Sequence, residues 1–89
     1  MQYVYVLSST LDGSIYTGCT NDLRKRLALH NAGKVKSTRL HRPFEIVFYE
    51  AYRDAHDAFV REQYLKTGWG RNHIKKVAQN YFIGKNLGG

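Results

Sequence analysis

One proline, one cysteine and no apolar run long enough to cross a bilayer mark what this 89-residue chain lacks or nearly lacks. The lone cysteine, Cys19, cannot close an internal disulfide and has no companion thiols for a zinc site. Neither a spanning run nor the basic start of a signal peptide is found near the N-terminus, so a reduced, cytoplasmic setting without a membrane partner is expected. A single proline and eight glycines leave no place for a flexible linker except at the end. Residues 1–83 therefore read as one domain and residues 84–89 as a short C-terminal tail. No internal repeat or low-complexity block is found. The most informative scarcity is of one charge sign. The first twenty residues hold no Lys or Arg, although the chain carries 14 of them.

What is present describes a globular protein with an anionic partner. Hydrophobic residues make up 43% and charged residues 24%, outside the range of disordered chains. The net charge of +7 on so small a body creates a positive potential that favours polyanions, nucleic acid ahead of an acidic membrane. The plain alternative is a solvated basic surface that serves only solubility. Placement argues against that, because the cations come in two groups. Arg24, Lys25, Arg26, Lys34, Lys36, Arg39 and Arg42 are opposed locally only by Asp22. Arg61, Lys66, Arg71, Lys75, Lys76 and Lys85 are opposed only by Glu62. If the first helix and the last ones flanked one side of a sheet, these groups would wall a groove for a phosphate backbone.

The chain's periodicities predict that sheet. "QYVYVLS" reads as a doubly buried strand, with Tyr3, Tyr5 and Leu7 on one face and Val4 and Val6 on the other. Asp12-Gly13 reads as the turn into a second strand, "SIYTG". Thr20 or Asn21 is placed to cap a helix over "DLRKRLALHNA", which Gly33 would end. A basic loop follows. "FEIVFYEAY" alternates as a third strand, with Phe44, Ile46, Phe48 and Glu50 against Glu45, Val47, Tyr49 and Ala51. Asp54 is placed to cap a helix in which Ala58, Arg61, Glu62 and Leu65 fall at 3–4 spacing. "GWGRNHIKKVAQNYF" reads as a turn and one last helix. The order β-β-α-β-α-α predicts an α+β domain, a small antiparallel sheet with helices packed on it.

Five positions carry a family resemblance. Tyr3-Val4-Tyr5 and Tyr16-Thr17-Gly18 stand where GIY-YIG nucleases have their two tripeptides, with Tyr5 and Tyr16 eleven apart. "CTNDLRKRLALHN" resembles that family's helix, with Arg26 ten residues beyond Tyr16 and His30 one turn later. "FVREQYLKTGWGRNHIKK" is similar to the segment that carries the family's metal-binding glutamate, here Glu62. The resemblance runs from residue 3 to about residue 76 and implies a three-stranded antiparallel sheet flanked by helices. It implies divalent-metal-dependent hydrolysis of phosphodiester bonds, with Mg²⁺ or Mn²⁺ on Glu62 and no small-molecule cofactor. Tyr16 would activate the attacking water and Arg26 would bind the scissile phosphate. Tyr5 and His30 would hydrogen-bond to the phosphate or the nucleophile.

This chemistry is physically coherent. A free phenol is ionised to only about one part in a thousand at neutral pH, and a nearby metal ion and guanidinium would both favour the phenolate. One carboxylate suffices for Mg²⁺, which keeps several waters and takes phosphate oxygens as further ligands. The wider phosphate track is expected from Arg24, Lys34, Lys36, Arg39, Arg42, Arg71, Lys75 and Lys76. DNA is the expected substrate ahead of RNA, with structure selectivity and little base readout. Cys19 stands where some relatives have a lysine. Lys76 stands nearest the asparagine that many relatives place in the last helix, with Asn72 and Asn80 as possible replacements. A nucleic-acid-binding module that cuts only with a partner, or not at all, is the alternative on the same fold. A purely structural domain would leave the joint spacing of Tyr5, Tyr16, Arg26, His30 and Glu62 unexplained.

Overall fold

A computed structural model describes the backbone of residues 1–88 and the side chains of residues 1–85. Three antiparallel strands, β1 (Gln2–Ser9), β2 (Ile15–Thr20) and β3 (Phe44–Tyr52), form one sheet in the order β2-β1-β3. The helices are α1 (Leu23–Asn31), α2 (Ala55–Leu65), α3 (Gly68–Val77) and α4 (Gln79–Gly88), with a single 3₁₀ turn, Arg39–His41, between α1 and β3. The architecture is the expected α+β one. β1 is central and buried from Val4 to Ser9, as its uncharged sequence requires. Among the described residues, no helix is long and apolar enough to cross a membrane.

Alternation along β1 divides the core in two. Val4 and Val6 pack with Ala58, Leu65 and Ile74 beneath α2 and α3, supported by Phe82 of α4. Tyr5 and Leu7 pack with Phe44, Tyr16, Ile46, Leu23 and Leu27 beneath α1. So α1 lies on one face of the sheet and α2, α3 and α4 on the other. The expected groove, with α1 and the last helices along one side, is therefore corrected. The two cation groups are carried on opposite faces.

The alternation expected along β3 is also corrected. Val6 pairs with Phe48 but Leu7 pairs with Ile46, so Val47 is the extra residue of a β-bulge. One inserted residue exchanges faces for everything beyond it. Phe44 and Ile46 join the Tyr5 side, whereas Val47 and Phe48 join the Val4 side. Glu50 follows Phe48, and there it meets Arg61 of α2 in two parallel hydrogen bonds of 2.8 and 3.1 Å. Without the bulge, Phe48 would leave the larger core.

Helix ends follow local chemistry. Asp22, not Thr20 or Asn21, caps α1, because its extended backbone lets the carboxylate accept from Lys25 N at 3.0 Å. The Thr20 hydroxyl accepts instead from Asp22 N. Asp54 caps α2 as expected, accepting from His56 N and Asp57 N. The single last helix is in fact two, broken at Ala78 (φ −107°, ψ 32°). Helix α4 continues through the segment read as a tail, as far as Gly88.

The α2–α3 corner rests on close backbone approach. A Cβ on Gly70 would fall inside the contact envelope of the Tyr64 carbonyl oxygen and the Leu65 backbone, neither of which can rotate away. A Cβ on Gly68, two residues earlier, meets nothing within 4 Å. Gly70→Ala is expected to destabilise the domain by at least about 2 kcal/mol. Gly68→Ala should be neutral or stabilising by up to about 1 kcal/mol. Urea unfolding of the two variants beside the parent checks this; equal midpoints would refute the packing account.

Candidate active site

The site is built where α1 crosses β1 and β2. Register pairs Tyr5 with Gly18 and Leu7 with Tyr16, so the two tyrosines share the α1 face. Gly18 is required there, because a Cβ would run into the Tyr5 hydroxyl and ring. Tyr5 thereby lies flat across β2 with its hydroxyl at α1. Arg26 and His30, one helical turn apart, both reach that hydroxyl. Arg26 Nε donates to Tyr5 Oη at 3.3 Å, and Tyr5 Oη is 3.0 Å from His30 Nε2. The rings of Tyr16 and His30 meet edge-on, with centroids 4.9 Å apart.

Donor counting gives this chain of hydrogen bonds a direction. The Tyr5 oxygen accepts from Arg26; because the Thr38 hydroxyl gives its proton to a backbone carbonyl, its oxygen accepts from His30 Nδ1, which leaves Nε2 to accept the Tyr5 proton. His30 then carries its hydrogen on Nδ1 and donates to Thr38 Oγ1 at 2.8 Å. Thr38 in turn donates to the Val35 carbonyl at 3.4 Å. His30 and Thr38 are both fully buried. Burial first, and the Arg26 charge second, lower the His30 pKa to about 4. A protonated imidazole would also set two hydrogens against each other on the Tyr5 contact.

Tyr5 behaves differently from a base. Burial raises its pKa, and this outweighs the lowering by the hydrogen bond from Arg26. Arg26 is stabilised as a cation, foremost by the Tyr5 hydroxyl and more weakly by Tyr16, with burial opposing. Of the four residues, Tyr5 and His30 are buried, whereas Tyr16 and Arg26 remain partly exposed. Neither Tyr5 nor His30 thus reaches solvent, where a phosphate would arrive. Tyr3, on the same face of β1, packs edge-on against Tyr49 with centroids 5.8 Å apart.

Glu62 approaches the same strand edge from the opposite face. It sits on α2, which packs on β1 and β2. Its charge raises the Cys19 thiol pKa, after burial, and is felt more weakly by the Tyr5 phenol. Its side chain is 15% exposed and pairs with Lys66 Nζ at 2.8 Å, one turn along α2. The ammonium stands where a cation bound to this carboxylate would sit. Among the described residues, no group of three His, Cys, Asp or Glu side chains could chelate a metal. A single hard carboxylate fits only the mode in which Mg²⁺ takes its other ligands from water and phosphate.

The remaining cations fall into two surfaces. Arg24 on α1 and Lys34, Lys36 and Arg39 after it are exposed on one side. Arg42 is exposed too, but it is partly occupied: its Nη1 donates to the Arg39 carbonyl at 2.6 Å, and its guanidinium lies over Gly33. Arg71, Lys75 and Lys76 are exposed on α3. Arg71, Lys75 and Lys66 border an open cleft of about 480 Å³ whose other wall is Ile15, Tyr16 and Thr17 of edge strand β2. Asn72 is exposed on α3 beside Trp69, and Asn80 is exposed on α4.

Residues 1–76 match the family model of the GIY-YIG catalytic domain. The chain belongs to the GIY-YIG family. It is 47% identical over 70 residues to a UPF0213 protein of Bacillus pumilus, covering 78% of this chain and 69% of that one. A UPF0213 protein of Staphylococcus epidermidis is 36% identical over 78 residues, covering 86% and 94%. Among solved structures, the solution NMR structure of a UPF0213 protein from Bacillus halodurans superposes with a TM-score of 0.54 at 33% identity, covering 86% of this chain and 85% of that one. Tyr5, Tyr16, Arg26 and His30 come together beneath α1, while Glu62 lies on α2 across the sheet, its charge felt at Cys19 and Tyr5.

One contributor to this candidate site escapes sequence reading: Thr38 fixes the His30 tautomer from within the basic loop, where no periodicity points inward. Lys66 holds Glu62; of the two salt-bridge partners the sequence offers that carboxylate, Arg61 and Lys66, Arg61 turns instead to Glu50. A pH prediction follows from the buried imidazole. Its folded pKa of about 4 lies below its ordinary 6.5, so the unfolded chain binds the extra proton between those values. Stability from this group is complete above 6.5 and is lost as the pH falls. Unfolding free energy should drop by about 2 kcal/mol between about pH 7 and pH 5. His30→Gln should flatten the slope over that range in urea titrations, whatever its absolute stability. An equal slope in both proteins would remove His30 as the cause.

Proposed function

We propose that this protein is a divalent-metal-dependent endonuclease that hydrolyses phosphodiester bonds in DNA, selecting structure rather than sequence. The observation that carries this reading is the convergence of Tyr16, Arg26 and Glu62 on the β2 edge, with Tyr5 and His30 locked behind them. Family membership and the +7 charge support it.

Each residue has a task that its position permits. Tyr16, partly exposed at the cleft, acts as its phenolate: it accepts the proton of the attacking water as the new P–O bond forms, and the oxygen leaving on the broken P–O bond takes its proton from solvent. Arg26, held by Tyr5 on one side, presents its free N–H groups to the phosphate oxygens as they gather charge. A divalent cation on Glu62 would supply further positive charge there and help polarise the water. Lys66, itself half-exposed, must release Glu62 for this, and the incoming cation would replace it on the largely buried carboxylate. Tyr5 and His30 position Arg26 and Tyr16 without touching the phosphate. The cations of α1 and of α3 hold the strands on either side of the edge by phosphate contacts alone, which leaves little base readout.

Cleavage of single-stranded, duplex, flapped and branched DNA with Mg²⁺ or Mn²⁺ tests the proposal. Chelator, Tyr16→Phe and Glu62→Ala should each lower the rate by at least about 100-fold, with DNA binding retained by the variants. Cleavage that survives both substitutions would sink the assignment. Salt-dependent binding without cleavage under any condition would establish a binding module on the same fold instead.

A further inference from the structure

Helix α3 carries a feature that hydrolysis at Tyr16 does not use. Trp69, the chain's sole tryptophan, is 80% exposed in its first turn. An indole in water on a rigid helix is costly to keep exposed and is a ready stacking surface. It lines an open depression of about 540 Å³ together with Gly68, Arg71, Asn72 and Lys75. Arg71 and Lys75 also border the cleft that contains Tyr16. The two depressions therefore adjoin at these two side chains. They form one track from edge strand β2, past Tyr16, over Arg71 and Lys75, to the indole.

The chemistry of the track selects its occupant. Arg71 and Lys75, four residues apart on α3, have no ion-pair partner among the described residues. Lys66 adds a third cation beside Leu65, Ile74 and Phe82 on the apolar wall. Cations at intervals with an exposed aromatic between or beside them suit a polyanion that also offers flat apolar faces. A protein partner would need acidic and apolar groups in that alternation, whereas a nucleic-acid strand has both in every nucleotide. A duplex keeps its bases stacked on one another and offers no face to Trp69. The depressions are also of nucleotide scale, comparable to small-ligand pockets of about 300–1,000 Å³.

We propose that α3 is a single-strand binding track, in which Arg71 and Lys75 hold phosphates and Trp69 stacks on an unpaired base. The strand is DNA or RNA; both offer the same phosphates and base faces. Together with the nuclease reading, on which only this consequence rests, the track names the substrate class. An unpaired strand, whether a free single strand, a flap or a frayed end, is led to Tyr16. The helix itself is well anchored for this role, since Gly70 and Ile74 are buried on its inner side.

Trp69 supplies its own readout. In chelator, where no cleavage can occur, titration with unstructured oligo-dT or oligo-U is expected to quench tryptophan fluorescence to saturation. A long blunt-ended duplex without a loop should leave the emission largely unchanged. Trp69→Ala should weaken single-strand binding, followed by anisotropy of a labelled strand, about tenfold, with duplex binding unaltered. Trp69→Phe should recover most of that loss, which a purely folding defect would not allow. Arg71→Gln and Lys75→Gln should each lower the salt slope by about 0.7. Absence of quenching, or an equal loss on single strand and duplex in Trp69→Ala, would overturn the track. Saturable quenching without cleavage in Mg²⁺ would leave the track standing and remove the nuclease. Cleavage without quenching would do the reverse.

Discussion

Tyr5 lies against Gly18, and the rest of the site depends on that contact. The missing Cβ on β2 lets a large phenol cross the strand and end at α1, where its hydroxyl receives one hydrogen bond and gives one. Because Thr38 donates to a backbone carbonyl, the rest of the series is fixed: Thr38 accepts from His30 Nδ1, and His30 Nε2 accepts from Tyr5, whose oxygen accepts from Arg26. No buried side-chain polar atom among the described residues is left without a partner. A network satisfied throughout resists distortion, which is what a partly exposed guanidinium needs in order to face a phosphate in one orientation.

The sheet edge is the second organising constraint. A three-stranded sheet with β1 in the middle leaves β2 with α2 on one face and, on the other, the Tyr5–Tyr16 cluster beneath α1, while its outer edge is open. Groups delivered from opposite faces can meet only at that edge. Arg26 arrives from one side and Glu62 from the other, and Tyr16 is on the strand itself. This explains why the first twenty residues carry no Lys or Arg. They form the buried central strand β1 and the edge strand β2, and helices on both faces carry the charge. Glu62 meanwhile is paired with Lys66, whose own side chain is half-exposed.

Much of the candidate site was legible from the chain because it depends on local spacing. Tyr5 and Tyr16 fall on facing strands of one hairpin, and Arg26 and His30 fall one turn apart on one helix. Asp54 announces its helix, and the Val4/Val6 alternation announces the doubly covered strand. Other features were not legible. Nothing in "FEIVFYEAY" marks Val47 as a bulge, because its alternation is unbroken; the bulge exists only in the pairing with β1. Nothing in "KVKSTRL" marks Thr38 as buried, since its partner is eight residues away and on a different element. Asp22 displaced Thr20 and Asn21 as a cap by backbone conformation, which neighbouring polar residues of similar propensity cannot distinguish beforehand.

The sequence by itself determined which elements form, which residue types they carry and in what order, because hydrophobic period, capping and turn chemistry act over a few residues. It thereby determined the family. Tertiary structure alone decided that α1 and α3 lie on opposite faces, which separated the two cation groups. It also decided that Tyr5 and His30 are buried supports rather than groups open to solvent, and that Trp69 stands beside Arg71 and Lys75 at the end of a track. The reason is the same in each case. Face, depth and hydrogen-bond partner are set by strand register and by contacts across the fold, and these are properties of the closed chain that no local window contains.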